Sequence, residues 1–345
     1  MSIRFVHETR PQRVRFGSGE AATALAEEVA LLGAARVMVI TTASAKAAAD
    51  RITEGLPVAL LHDDVAMHVP VEVADRARQA AAGHGADALV SIGGGSATGL
   101  AKAVALTSGL PVVAVPTTYA GSEATDMWGL TEDARKTTGT DPRVLPRAIV
   151  YDAELTTSLP VPLSVASGVN ALAHCVDSMW APRTDPVDQA LAVEGIRALR
   201  TGLPMVVADP GGREGREHTL YAAYLAAVAF ASAGAGLHHK ICHVLGGMFG
   251  LPHAQTHAVV LPHVLEFNGP AAPAVYRRIT DALGGSLPIL LDSLEAPKAL
   301  RELGFDESDL PSAVEAILPA VPPGNPRPVT AEDMTALLHA AWEGR

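Results

Sequence analysis

The feature that most constrains this chain is a change of rhythm near residue 155. Before it, short runs rich in β-branched residues alternate with Ala-rich stretches of helical length. Residues 37–42 (VMVITT), 87–92 (DALVSI) and 111–115 (PVVAV) read as buried strands, with helices over 43–54, 72–84 and 97–107. Continuous apolar strands separated by helices are the pattern of a parallel sheet covered on both faces. The stretch 125–141 breaks the alternation as a hairpin or loop excursion before a strand at Ala148–Tyr151. After that come only Ala/Leu-rich segments, at about 164–182, 186–202, 214–233, 236–249, 271–284, 287–303, 311–317 and 331–343, punctuated by Gly and Pro. The expected fold is therefore an α/β domain over 1–155 followed by an all-α domain over 156–345.

Composition supports a large core. Of 345 residues, 48 % are hydrophobic and 18 % charged, which excludes a disordered chain. A net charge of −11 and 4 % aromatic content argue against nucleic acid as the main partner, while leaving room for a local basic pocket and an anionic substrate. The two cysteines, Cys175 and Cys242, form no CxxC pair, so neither a disulfide framework nor a thiolate zinc site is expected. The first residues lack the apolar core of a secretory signal. The uncharged stretch 220–237 (LYAAYLAAVAFASAGAGL) reaches spanning length, but it is dominated by Ala and Gly and runs into His238-His239-Lys240. It reads as a buried helix, so the expectation is a cytoplasmic enzyme with no membrane partner.

Three segments carry chemistry. In 91–102 (SIGGGSATGLAK) a strand ends, Gly93, Gly94 and Gly95 follow, and a helix begins at about Ser96. Glycines let a backbone approach phosphate closely, and the free N–H groups of a helix start favour an anion. The stretch misses the GxGxxG fingerprint because Thr98 stands at its last Gly. In 116–125 (PTTYAGSEAT) the hydroxyls of Thr117, Thr118 and Ser122 follow a strand, where open α/β sheets bind ligands. The third is a histidine constellation: six of thirteen histidines lie between His238 and His263. His239 and His243 are i,i+4 neighbours, as are Asn170 and His174, and His253 follows a Gly-rich turn. Side chains one helical turn apart can converge on one point. His7, His62, His68, His84 and His339 read as ordinary core or surface imidazoles, and His218 as a surface residue.

Together these segments resemble the iron-containing alcohol dehydrogenase family, related in fold to dehydroquinate synthase. Gly236, His239, His243, Gly246, Pro252 and His253 keep the spacing of its signature, G-x-x-H-x-x-x-H-x-x-G-x-x-x-x-x-P-H. The resemblance implies an NAD(P)-binding first domain, a helical catalytic domain, an active site in the cleft between them, and a homodimer. It implies NADH or NADPH held by Gly93, Gly94, Gly95, Ser96, Thr117, Thr118, Ser122, Thr41, Lys136 and Leu155. Thr41-Thr42 stands where an acidic residue would grip the ribose of NAD, so neither nucleotide is preferred. Lys102 and Lys136 are expected to face phosphates or solvent.

Two departures narrow the resemblance. Members usually carry Asp one turn before the first His, and here Asn170 precedes His174; the glycine loop usually reads GGGSxxD, and here Gly99 takes the last place. Both look like the maleylacetate reductase branch, which reduces a carbon–carbon double bond. A divalent metal, Fe or Zn, would fall to His174, His239 and His253, without the anionic ligand Asp supplies. An enone is less demanding than an alcohol: hydride addition gives an enolate that hydrogen-bond donors stabilise. His243 and His253 are expected as oxyanion donors or proton source, with His174 and His239 completing the catalytic set. A small dicarboxylate substrate would be held by Asn170, His238 and Lys240, with Arg183 a further candidate. The alternative is a metal-dependent NAD(P) alcohol or polyol dehydrogenase of the same family.

Overall fold

The computed structural model describes residues 3–133 and 135–345, without the side chains of Arg135 and Lys136. Six parallel strands form one sheet: β1 (Arg13–Phe16), β2 (Val37–Thr41), β3 (Val58–His62), β4 (Ala88–Gly93), β5 (Val112–Pro116) and β8 (Ala148–Tyr151), in the order β1-β8-β5-β4-β2-β3. A two-stranded antiparallel hairpin, β6 (Met127–Glu132) and β7 (Arg135–Thr140), is the excursion expected at 125–141. Side chains alternate across the sheet with period two. Val37, Val39, Val90, Ile92, Val113 and Val115 pack under α1 (Ala21–Leu31) and α2 (Lys46–Ile52). Met38, Ile40, Leu89 and Val112 pack under α3 (Val71–Gly83) and α4 (Gly95–Ser108). Both faces are dry, which is why these strands read as unbroken apolar runs.

The helical remainder comprises α5 (Val161–Ser178), α6 (Pro186–Ala208), α7 (Arg213–Ala233), α8 (Leu237–Phe249), α9 (His253–Asn268), α10 (Pro273–Leu283), α11 (Leu287–Ser293), α12 (Leu310–Ile317) and α13 (Ala331–Glu343). Leu237, Ile241 and Leu245 recur at i,i+4 along α8 and pack with Val260 and Val264 of α9 and with Ile317, Met334 and Leu338. Thr330 and Asp333 cap α13 reciprocally, with 3.1 Å bonds from each backbone N–H to the other's side chain.

Contacts divide the chain into two compact units. One holds 9–159 and 211–220; the other holds the stretch up to Glu8, 160–210 and 221–345. The changeover thus falls at 159/160 rather than 155, and two short segments cross over. Arg216 explains the second crossing. It is fully buried, and its guanidinium donates to Tyr119 Oη at 3.2 Å and to the carbonyls of Thr156 and Leu159, the latter at 3.2 Å. A buried cation held by fixed carbonyls is costly to detach.

The structure departs from the sequence reading in several places. Edge strands β1, without an apolar run, and β3, whose VALL run is only partly buried, are absent from that reading, as is α9, with six residues between His253 and Leu261 buried. The span 287–303 is α11 plus a short 3₁₀ turn at Leu300–Leu303, and 43–54 is a 3₁₀ turn at Ala43–Ala45 leading into α2. The uncharged stretch 220–237 is broken between α7 and α8, which meet at 97°; no single helix among the described residues is long and apolar enough to cross a membrane.

Candidate active site

The glycine segment forms a tight turn from β4 into α4. Gly93 (φ 150) ends the strand, and Gly94 caps the helix with no side chain bonded to the helix N–H groups. A Cβ on Gly94 would lie 2.9 Å from Thr118 Cγ2, so the backbone and the PTTY loop touch here only because the side chain is absent. Thr117 N donates to Gly93 O at 3.0 Å, which ties the ends of β4 and β5 together. The turn therefore unites Gly93, Gly94, Gly95, Ser96, Thr117 and Thr118 around a fourteen-residue helix whose N-terminal N–H groups point outward, a cradle that suits a dinucleotide phosphate. Gly99 packs against Val69, whose Cγ2 lies 3.0 Å from a would-be Cβ.

Three cofactor expectations are corrected. Thr41 is fully buried at the end of β2; its neighbour Thr42, partly exposed, sits beside Gly93 with Oγ1 3.8 Å from a would-be Cβ. Leu155 belongs to the core under α1 and packs with the Val113–Val115 face. Lys102 faces neither phosphate nor solvent. It is fully buried and its Nζ donates to Ser122 O (2.5 Å), Thr125 O (2.8 Å), Thr125 Oγ1 (3.0 Å) and Met127 O (2.8 Å). Burial lowers its pKa to about 7, against the opposing pull of Glu123 and Asp126. Lys102 thus fastens the loop containing Ser122 to α4. The Lys136 side chain lies outside the described residues.

Within the helical unit the histidines form a layered cluster. His174 stacks on His239 with ring centroids 4.9 Å apart, and Phe230 packs on both at 4.6 and 4.3 Å. His243 and His253 stack at 6.2 Å and 13°, and His253 meets His257 edge-on at 4.4 Å. His243 and His253 are exposed, whereas His238, His239 and His257 are buried. Burial, reinforced by the neighbouring imidazoles, lowers His174 and His238 to about 3 and holds His239 and His257 well below the usual histidine range. At neutral pH the inner layer is uncharged.

Asp177, absent from the sequence expectations, organises that layer. Its Oδ2 accepts from Gly236 N (2.9 Å), His239 N (3.2 Å) and His239 Nδ1 (2.7 Å). Burial pushes its pKa up to about 7 while these donors pull it down. Gly236 is required: a Cβ there would collide with the Asp177 carboxylate. With Nδ1–H donated to Asp177, His239 presents Nε2 as an acceptor, and that atom has no partner. His239 is therefore a positioned acceptor within the expected catalytic set. The only signal in the sequence is a lone carboxylate in an otherwise apolar helix.

The substrate-binding expectations separate. Asn170 is buried on α5 with Oδ1 unpartnered, one turn before His174, whose Nδ1 is also unpartnered. His238 is not available to a substrate; it is fully buried with Nε2 2.7 Å from His257 Nδ1. Lys240 instead lines a surface cavity with Arg183, whose Nε donates to Ser232 O at 3.0 Å.

Comparison with known proteins decides the family. A model described as "Iron-containing alcohol dehydrogenase" matches residues 11–153, and one described as "Fe-containing alcohol dehydrogenase family, C-terminal" matches residues 164–342. The chain belongs to the iron-containing alcohol dehydrogenase family. It is 46 % identical over 350 residues to maleylacetate reductase 2 of Cupriavidus pinatubonensis, covering 99 % of this chain and 97 % of that one. An iron-containing alcohol dehydrogenase from Corynebacterium glutamicum superposes with a TM-score of 0.98 at 56 % identity, covering 100 % of this chain and 98 % of that one. Maleylacetate reductase from Rhizobium sp. strain MTP-10005 superposes with a TM-score of 0.94 at 42 % identity, covering 99 % of each chain.

The iron-containing alcohol dehydrogenase family poses the question of a metal. Among the described residues, two groups bring three ligand atoms within 4.8 Å of one another: His238, Cys242 and His257, and His7, Asp185 and Asp188. His174, His239 and His253 are not such a group. Neutral imidazoles can ligate a metal, but Asn170 brings no charge where a carboxylate would, so this set lacks the anionic ligand that favours a divalent ion.

Proposed function

We propose that this oxidoreductase reduces the carbon–carbon double bond of maleylacetate to give 3-oxoadipate, with NADH or NADPH as reductant, in the degradation of aromatic compounds. The observation that carries the reading is the pairing of two exposed imidazoles, His243 and His253, over a buried neutral layer without a carboxylate ligand. A bound reduced nicotinamide supplies a hydride. The two electrons form the C–H bond at the carbon β to the ketone, the C=C pair shifts to join the α carbon to the carbonyl carbon, the carbonyl π pair moves onto the ketone oxygen as an enolate, and a proton then joins the α carbon as the ketone re-forms. The chain's part is to stabilise the enolate oxygen and to deliver that proton, and His243 and His253 are placed to donate. His239, locked by Asp177, stacks on His174 and fixes the position of that ring. Asn170 supplies a further polar contact. The same reading implies a homodimer, a cytoplasmic location where reduced nicotinamide is maintained, and a small dicarboxylate as the only partner. Relatives of this size and identity named maleylacetate reductase support it.

The test is single replacement of each outer ring. His243→Ala and His253→Ala should each lower kcat by about 100- to 10,000-fold, the usual worth of a general acid or base. NADH affinity, read by fluorescence titration, should stay within about twofold, because the glycine turn is untouched. Full activity in both variants would remove the outer pair from the reaction.

A further inference from the structure

The second triad named above lies apart from the histidine cluster and shares no residue with it. His7 Nδ1 is 2.7 Å from Asp185 Oδ2 and 3.8 Å from Asp188 Oδ1. Asp185 is the N-cap of α6; its Oδ1 accepts from Val187 N (2.7 Å) and Asp188 N (3.0 Å), which leaves Oδ2 aimed at His7. Asp188 is fully buried, and neither of its carboxylate oxygens has a hydrogen-bond partner. Burial, helped by the adjacent Asp185, raises its pKa, while the Ser232 hydroxyl, near but outside hydrogen-bond geometry, and His7 favour the charged form.

An unbonded buried carboxylate is among the costlier features a fold can carry. One imidazole cannot neutralise two carboxylates, and His7 reaches only one of them at hydrogen-bond distance. A divalent ion would balance the charge and use the idle oxygens together. One ligand atom from each of the three residues lies within 4.8 Å of the others, so small side-chain rotations bring them to the separation of about 3.0–3.5 Å that ligands about 2.0–2.2 Å from a zinc ion require. The His7 side chain is 12 % exposed, which leaves a path for entry and for water at the remaining positions.

We propose that His7, Asp185 and Asp188 bind one divalent cation of the zinc class, which fastens the N-terminal stretch onto the start of α6. The role is structural, so the site takes no part in the reaction proposed above and stands or falls independently of it.

The experiment uses the full-length enzyme, stripped with a chelator and equilibrated with Zn²⁺, alongside His7→Ala and Asp188→Asn. Zinc per chain is measured after dialysis, and the melting temperature with and without the ion. The wild type should retain one more equivalent than either variant, and zinc should raise its melting temperature while leaving both variants unmoved. Any ion held by the histidine cluster would survive both replacements and cancel in the difference. Equal zinc content in all three proteins, or a zinc-induced rise in melting temperature as large in the variants as in the wild type, would overturn the site. His7 lies near the chain terminus, so its replacement leaves the helical core intact and keeps the test decisive even if Asp188→Asn folds poorly.

Discussion

Replacing Asp177 by Ala removes the acceptor for three donors: the backbone N–H groups of Gly236 and His239, and His239 Nδ1. All three are buried, so no water replaces the lost carboxylate. An orphaned buried donor costs about 1–3 kcal/mol, and three adjacent ones that relax together cost about 3–5 kcal/mol. The pH dependence carries the sharper test. Because the folded pKa of Asp177 is raised to about 7 from 3.8, the folded protein holds a proton that the unfolded chain releases between those values. The stability this group contributes is therefore full below about pH 4 and is lost as pH rises toward 7. At about 1.4 kcal/mol per pH unit, the wild type loses about 2 kcal/mol between pH 5 and pH 7 from this source. The deficit of Asp177→Ala should accordingly be about 3–5 kcal/mol at pH 5 and narrow by about 2 kcal/mol at pH 7. Urea denaturation followed by tryptophan emission reads it, since Trp180 and Trp342 both lie in the helical unit. A deficit below about 1 kcal/mol at pH 5 would refute the hydrogen-bond account. A deficit that stays the same from pH 5 to pH 7 would mean that the folded protein keeps Asp177 ionised throughout, and would contradict its raised pKa.

Two further perturbations address the cofactor turn. Gly94→Ala places a Cβ 2.9 Å from Thr118 and should weaken nicotinamide binding at least tenfold in a fluorescence titration, with the melting temperature little changed. Lys102→Met strips the donor from the carbonyls of Ser122, Thr125 and Met127. It should destabilise the sheet-bearing unit by about 2–4 kcal/mol in denaturant unfolding and raise the KM for NADH more than it lowers kcat.

The central strands were legible because they are buried on both faces. β2, β4, β5 and β8 show as apolar runs, while the Arg-X-Arg alternation of β1 marks an edge that only pairing with β8 makes a strand. Helix α9 was hidden by its own function: His253, His257 and Pro262 interrupt the apolar spacing that elsewhere signals a helix. The i,i+4 spacing located His239 and His243 on one face, but no local pattern could reveal that His238 pairs with His257, nineteen positions away. Thr41 and Thr42 show the limit most simply. Both end the same strand, and a one-residue step decides which enters the core and which reaches the glycine turn. Lys102 is expected to face phosphate or solvent and nothing in the sequence marks Arg216, because charge is normally solvated, yet carbonyl oxygens from distant loops hold both inside.

The most direct test of the account is NADH and NADPH oxidation by chelator-treated enzyme given maleylacetate, before and after zinc or iron is restored. The account predicts full turnover without metal and no gain on its return, because the His174, His239 and His253 set lacks an anionic ligand and the proposed proton chemistry rests on the outer histidines. Turnover that appears only when metal returns, or activity confined to simple alcohols, would contradict it and identify a metal-dependent alcohol dehydrogenase instead.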